Sequence, residues 1–238
     1  MNLFYIPGIS DNPIRLDETE SGHAVRVLRL KENDPVVVID GKGGWFEAVI
    51  EQAHPKKCLI RIVSRRETEA RPFGLHLAVA PTKNIDRFEW MLEKCTEIGV
   101  DEITPLLCRF SERKNVNLAR LEKIAVAAMK QSLKATLPKI NDLKPFENLV
   151  CLPFDGQKLI AHCYPGEKQH LMRLLDKNQK ALILIGPEGD FSPEEVQAAR
   201  QNGFREISLG HSRLRTETAG VVACHTVSLS REAEPPAL

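Results

Sequence analysis

No run of apolar residues in this chain approaches the ~18 needed to cross a membrane, so no membrane span is expected. Met1 to Ser10 shows no basic segment followed by an apolar one, so no secretory signal is read there and a cytoplasmic protein is expected. The six cysteines (58, 95, 108, 151, 163 and 224) form no Cys-x-x-Cys pair and have no histidine cluster at zinc spacing. Free, mostly buried thiols in a reducing compartment are therefore expected, with no metal. The chain also lacks Gly-x-x-x-x-Gly-Lys-Ser/Thr and Gly-x-Gly-x-x-Gly, so neither common phosphate-cradling loop is present. Excess charge of one sign is missing as well: 33 Lys and Arg stand against 32 Asp and Glu.

What is present suits a folded globular protein. Of the 238 residues, 42% are hydrophobic and 27% charged, enough to bury a core. At roughly 150 residues per domain, that length means one large or two small domains. The near-neutral total hides a basic stretch. Residues 109–139 carry eight Lys or Arg and two Glu, which fits a localised anionic partner such as RNA and equally fits a solvated helix face.

The pattern changes near residue 70. Before it, Val36 to Ile39 and Trp45 to Ile50 flank Asp40-Gly41-Lys42-Gly43-Gly44, a turn signal that predicts a hairpin. Leu59 to Val63 reads as a third strand, His23 to Leu30 as a short helix, and Ser64 to Pro72 as a charged linker. After it, strands alternate with helices. Leu75 to Ala80 is a continuous apolar run for a strand buried on both faces. Phe88, Met91, Leu92, Cys95 and Ile98 recur at helical spacing up to the stop at Gly99. Ile103 to Leu107 reads as a strand broken by Pro105, and a helix follows with Asn117 as its cap. Residues 141–180 give only a weak strand at Leu159 to His162 and a helix near Lys168 to Leu175. Ala181 to Ile185 is a buried strand, and Ser192-Pro193-Glu194-Glu195 is a capping box that starts a helix ended by Gly203. Arg205 to Leu209 is a strand, and Thr216 is the expected cap of a last helix. Such alternation predicts an α/β domain with a mainly parallel sheet.

Ligands of open α/β sheets bind beyond the C-terminal ends of strands. Two glycine-containing loops leave such ends, Gly186 to Asp190 and Gly210 to Arg215. The first carries Glu188 and Asp190. Acids repel phosphate and tolerate a cationic ligand without phosphate, a description that S-adenosylmethionine, a sulfonium, meets.

Two segments around these loops, Leu182-Ile183-Leu184-Ile185-Gly186-Pro187-Glu188-Gly189 and Leu209-Gly210-His211-Ser212-Arg213-Leu214-Arg215-Thr216-Glu217-Thr218-Ala219, resemble the hallmark segments of the RsmE family. That family comprises uridine-N3 methyltransferases of small-subunit (16S) ribosomal RNA, within the SPOUT superfamily. His23-Ala24-Val25-Arg26-Val27-Leu28-Arg29, Lys94 to Val100, Ser111-Glu112-Arg113 and Gln131-Ser132 match too, in the family's order along almost the whole chain. The chain departs from the pattern at Asp190, where a second Gly is usual, at His211-Ser212-Arg213, and at Lys134, where Arg is usual.

The resemblance implies an N-terminal PUA-like β-barrel over 1–70 and a C-terminal SPOUT α/β domain over 73–238 with a deep trefoil knot. It further implies a homodimer acting on 16S rRNA in the assembled small subunit, with S-adenosylmethionine as cofactor. Cofactor binding falls to Ile185, Gly186, Pro187, Glu188, Gly189, Leu209, Gly210, Leu214, Thr216 and Ala219. Arg215 is the candidate for steadying developing negative charge; Glu188 and Glu217 are candidate proton acceptors, with water a third. Arg26, Arg29, Lys83, Arg113, Gln131 and Lys134 are the candidate RNA contacts. The nearest alternatives are another SPOUT enzyme, acting on a ribose hydroxyl or a different base, and a non-catalytic RNA-binding relative.

Overall fold

A computed structural model describes residues 1–9, 12–67 and 74–232. The chain divides into two compact units, one of residues 1–70 with 129–137, the other of 71–128 with 138–238.

In the first unit β1 (Leu3–Tyr5), β2 (Ile14–Arg15), β3 (Pro35–Ile39), β4 (Gly44–Gln52) and β5 (Leu59–Glu67) form one mixed sheet in the order β1-β3-β4-β5-β2. Among the described residues no ladder joins β1 to β2. The expected hairpin is β3–β4. Its turn is held by the Asp40 carboxylate, which accepts from the N–H groups of Lys42 at 2.7 Å and Gly44 at 2.9 Å. Of the expected linker, Ser64 to Glu67 continue β5; the rest lies outside the described residues.

The short helix expected at His23 starts earlier and ends differently. Helix α1 (Glu18–Gly22) is capped by Asp17, which accepts from Glu20 N–H at 2.7 Å. It runs into a π-helical turn, His23–Val27. The wider repeat separates Val27, 66% exposed, from Leu30, 7% exposed, which α-helical spacing had placed on one face.

Residues 129–137 fold with this first unit. Leu137 N–H donates to Gly41 O at 2.9 Å, and Gly43 N–H to Ala135 O at 3.0 Å. Met129 and Ala135 are buried with Val37, Ile39 and Trp45. Candidates Gln131 and Lys134 therefore sit in the first unit, on a segment reached from the end of a helix that begins in the second.

The second unit is a parallel sheet covered on both faces. Its strands are β6 (Leu75–Val79), β7 (Glu102–Leu107), β8 (Lys139–Ile140), β9 (Lys144–Pro145), β10 (Gln157–Ala161), β11 (Gln169–His170), β12 (Ala181–Ile185) and β13 (Arg205–Ser208). They order as β11-β13-β10-β12-β6-β7-β8, with β9 also on β7. The connecting helices are α2 (Ile85–Ile98), α3 (Leu118–Gln131), α4 (Phe146–Val150), α5 (Leu171–Leu174), α6 (Pro193–Gln201) and α7 (Thr216–Glu232).

Continuous apolar runs serve both faces, because successive side chains of a strand point to opposite sides. Ile183 and Ile185 enter one core with Phe88, Met91 and Val227, while Leu182 and Leu184 enter the other with Phe146, Phe191 and Val196. Pro105 does not break β7: it falls between the pairing of Glu102 and Ile103 with β8 and that of Leu106 and Leu107 with β9.

Candidate functional site

Three segments leave neighbouring strand ends of the second unit and surround one cavity of about 890 Å³. They follow β10, β12 and β13, where open α/β sheets place their ligands.

The segment after β12 is fixed from both sides. Gly186 has no room for a side chain without displacement: a Cβ would stand 3.1 Å from the Phe191 ring and backbone N. Glu188 accepts from the N–H of Lys83 at 2.9 Å. The capping box closes as expected, with Ser192 Oγ accepting from Glu195 N–H at 3.2 Å and Glu195 accepting from Ser192 N–H at 2.7 Å. Asp190 lies at φ 66°, a left-handed conformation that Asp tolerates better than most residues. Its carboxylate accepts from the N–H of Cys163 and of Phe191, each at 2.8 Å.

The segment after β13 turns at Gly210, φ 130°, and enters α7. Thr216 is the first residue of that helix, but its hydroxyl does not act as the expected cap: it donates to Gly186 O at 3.0 Å. This bond ties the two glycine loops together. The Glu217 carboxylate is buried, and Arg87 Nε stands 4.0 Å from it. Arg215 is exposed on the cavity, and among the described residues its side chain has no hydrogen bond or ion pair.

The third wall, residues 161–168, was not anticipated. Buried His162 bonds Glu206 through Nε2 at 2.6 Å, and its Nδ1 accepts from Tyr164 N–H at 3.2 Å. Burial lowers the His162 pKa despite the carboxylate. The Arg200 hydrogen bond, then that of His162, holds Glu206 down at about 2. Lys168 Nζ donates to the carbonyls of His162 and Tyr164 at 2.7 and 2.6 Å, and Tyr164 donates its hydroxyl to Phe191 O at 2.8 Å. Two-sided anchoring of this kind makes the wall a preformed one.

The chain matches the family model for the RNA methyltransferase domain over residues 69–228 and that for the RNA methyltransferase PUA domain over 16–63. It is 30% identical to the ribosomal RNA small subunit methyltransferase E of Rickettsia conorii, over 92% of this chain and 91% of that protein. The chain belongs to the ribosomal RNA small subunit methyltransferase E family. The solved structure of a probable rRNA methyltransferase from Porphyromonas gingivalis aligns with a TM-score of 0.92 at 42% identity, covering 98% of this chain and 99% of that one. A ribosomal RNA small subunit methyltransferase E from Neisseria gonorrhoeae, solved bound to S-adenosyl methionine, aligns at 0.82 and 27%, covering 94% and 95%. The N-terminal unit is PUA-like and the fold as a whole is mixed α/β with a parallel sheet.

Family membership gives the expected residues their context. Ile185, Gly186, Pro187, Glu188, Leu209, Gly210, Leu214, Thr216 and Ala219 all line the cavity, as do Arg215 and Glu217. Gly189 does not; a Cβ there would stand 3.1 Å from Phe110 Cβ, so its smallness serves packing. Arg87 lines the cavity and was missed, because an Arg in the first turn of an amphipathic helix reads as solvated. The 161–168 wall left one trace, the Pro165-Gly166 turn after the apolar Leu159-Ile160.

Outside the cavity, Arg26 and Arg29 are exposed, as is Gln131, and Lys134 is half-buried. Arg113 is committed to the fold, donating to the carbonyls of Thr82 at 3.1 Å and Lys83 at 2.8 Å. Lys83 pairs with Glu112 at 2.8 Å. Much of the basic stretch is similarly engaged: Arg109 with Glu194, Arg120 with Glu89, Lys130 with Glu20 and Lys139 with Glu102. It is therefore not an uncommitted basic patch. Of the six free thiols, four are buried and two, Cys151 and Cys163, are exposed. Among the described residues no helix is long and apolar enough to cross a membrane, and no cluster of three or more His, Cys, Asp or Glu could hold a metal ion.

The departure at Asp190 has a stability consequence. Asp190→Ala loses two charge-assisted bonds and keeps the left-handed backbone, and is expected to cost about 2 kcal/mol. Asp190→Gly loses the same bonds but relieves the backbone, and should cost about 1 kcal/mol. Urea unfolding of the two variants checks the order; a Gly variant more stable than the parent would mean the carboxylate bonds contribute less than the backbone relief.

Proposed function

We propose that this chain methylates N3 of one uridine in the 3′ part of 16S rRNA, near the decoding centre, using S-adenosylmethionine. The observation that carries the reading is the pair of glycine loops, joined by the Thr216–Gly186 bond, opening on one cavity beside an unpartnered Arg215. Residues 1–70 hold the RNA. Residues 73–238, apart from the 129–137 segment that folds with the first unit, form a SPOUT domain with a deep trefoil knot, and two copies in the cytoplasm build a shared site on the assembled small subunit.

The cavity fits the cofactor. Its volume is in the range of small-molecule sites, and Ile185, Gly186, Leu209, Gly210 and Leu214 line it. Glu188, Asp190 and Glu217 supply carboxylates that suit a sulfonium and repel a phosphate. When bound, S-adenosylmethionine supplies an electrophilic methyl group.

The chain's own residues must then handle a uracil whose N3 carries a proton at neutral pH. The base has to be unpaired or flipped out to reach a cavity at strand ends. Loss of the N3 proton puts negative charge on the two flanking carbonyl oxygens, and Arg215, with no partner to give up, is placed to stabilise it. Glu217 is the better-placed proton acceptor of the two candidates: it is buried on the cavity, whereas Glu188 already accepts the Lys83 N–H. The Arg87 guanidinium, on the same cavity, stands 4.0 Å from the Glu217 carboxylate.

Isothermal titration with S-adenosylmethionine is expected to give a dissociation constant of about 1 μM or tighter, near −8 kcal/mol, and light scattering a dimer at micromolar protein. Absence of heat at a hundred-fold higher ligand concentration would remove the cofactor assignment, and a monomer would remove the shared site.

A further inference from the structure

The cavity wall at residues 161–168 has at its centre a histidine whose contacts require it to be uncharged. The His162 side chain is 1% exposed. Tyr164 N–H meets Nδ1 at 3.2 Å. A backbone N–H can only donate, so Nδ1 must be an acceptor. The ring proton therefore sits on Nε2, where it is donated to the Glu206 carboxylate at 2.6 Å. Lys168 Nζ stands 3.4 Å from the same Nδ1. Two donors thus face the one nitrogen that a second proton would have to occupy.

The ring also links the cavity to the elements behind it. Glu206, on β13, is bonded in turn by Arg200 of α6. On the other side His162, Tyr164 and Lys168 all line the cavity, and Lys168 donates to the carbonyls of His162 and Tyr164. The Tyr164 ring packs on the imidazole with centroids 5.6 Å apart. Asp190, on the loop after β12, takes the N–H of Cys163 in the same wall at 2.8 Å. The charged groups that face the imidazole are thus Glu206, Lys168 and Asp190. Burial acts most strongly on the ring and lowers its pKa; the Glu206 bond opposes this, Lys168 adds to it and Asp190 opposes it. A proton on Nδ1 would stand against Tyr164 N–H and the Lys168 ammonium together, so the contacts that fold the wall back on itself would have to open.

We infer that His162 is a positioning residue of the cofactor site: its neutral ring holds the 161–168 wall in the shape that binds S-adenosylmethionine, and its protonation releases that wall. The inference rests on the cofactor assignment and adds the group that governs it. Cofactor binding and protonation of the ring oppose each other, and linkage fixes the sign. Affinity is full above the His162 pKa and falls about ten-fold for each pH unit below it. Because that pKa is lowered, the fall begins below the ordinary histidine value of about 6.5.

The test is calorimetric titration of S-adenosylmethionine into the full chain from about pH 7.5 down to about pH 5, with a melting curve at each pH to separate lost affinity from unfolding. The parent should show a level dissociation constant and then the rise. His162→Asn keeps an acceptor for Tyr164 N–H and cannot take a proton, and His162→Gln keeps a donor for Glu206; each should lose the rise. Lys168→Met loses both carbonyl bonds and should bind about ten-fold more weakly at the upper pH. It also removes the cation opposed to ring protonation, so its rise should start at higher pH than the parent's, a shift that a purely structural lysine would not produce. A folded parent with level affinity down to about pH 5 overturns the inference and leaves the cofactor assignment standing. The parent's rise persisting in both His162 variants overturns it as well, by giving the titration to another group. If neither of those variants folds, Lys168→Met decides, and a rise unmoved from the parent's overturns the inference. A parent that binds no cofactor at any pH removes the cofactor assignment and this inference together.

Discussion

Replacing Arg215 by Ala is expected to lower the methyl-transfer rate about 100- to 1,000-fold while leaving S-adenosylmethionine affinity and rRNA affinity within a few-fold of the parent. The magnitude is that of removing one preorganised donor from a site where charge develops. The selectivity follows from the geometry. The Arg215 side chain lines the cavity but bonds no other residue of either glycine loop, so its loss leaves the cofactor walls standing. One phosphate-type contact among many contributes little to binding a large RNA. Single-turnover rates at saturating cofactor and subunits, set beside the two dissociation constants, check the split. A loss confined to RNA affinity, with an unchanged single-turnover rate, would make Arg215 a docking residue and move the charge-stabilising role elsewhere.

Gly210→Val is expected to reduce S-adenosylmethionine affinity at least 100-fold with little change in thermal stability. Nothing lies within 4 Å of a Cβ at this position, so a side chain meets no steric obstacle in the folded protein. The obstacle is the backbone: φ 130° is outside what a β-branched residue adopts. The Leu209 to Arg215 segment must therefore change course, and it is one of the two glycine loops that line the cavity. Gly210 is exposed, so the rearrangement costs no core packing. Calorimetry and a melting curve on the same preparation separate the two effects. Unchanged cofactor affinity would show that the Gly210 loop does not form the site, whereas a collapse of stability would show that its conformation is built into the core.

The parts of the fold that could be read in the sequence are those whose cause is local. The capping box at Ser192, the apolar run of β12, the Asp40–Gly44 turn and the Gly99 stop all act within a few residues, and the structure has each of them. Features set by distant partners stayed hidden. Thr216 looks like a helix cap in sequence, but its hydroxyl serves Gly186 thirty residues away. Arg113 looks like a free cation, yet its guanidinium clamps the carbonyls of Thr82 and Lys83. Residues 129–137 continue a helix of the second unit, and it is their packing on Val37, Ile39 and Trp45 and the pairing of Ala135 and Leu137 with the Gly41–Gly43 turn that give them to the first.

The same division holds for the site. Both glycine loops were visible because glycines and charges sit beside apolar strands. The 161–168 wall was not, since its order comes from Glu206, Asp190 and Phe191, none of them near in sequence. The tolerance of Asp190 for a left-handed backbone follows from residue type alone, whereas the two N–H groups its carboxylate accepts required the structure. Short elements with no period, such as α4 and the two-residue strands β8, β9 and β11, offer periodicity analysis nothing to find.

The most direct measurement is methyl transfer from labelled S-adenosylmethionine to purified small ribosomal subunits of a strain lacking this enzyme, followed by nucleoside analysis of the digested RNA. The account predicts one labelled product, N3-methyluridine, in a single 3′ fragment of the small-subunit RNA, and none with the Arg215→Ala variant over the same time. Label on a ribose oxygen, or on any base other than uracil, would contradict it.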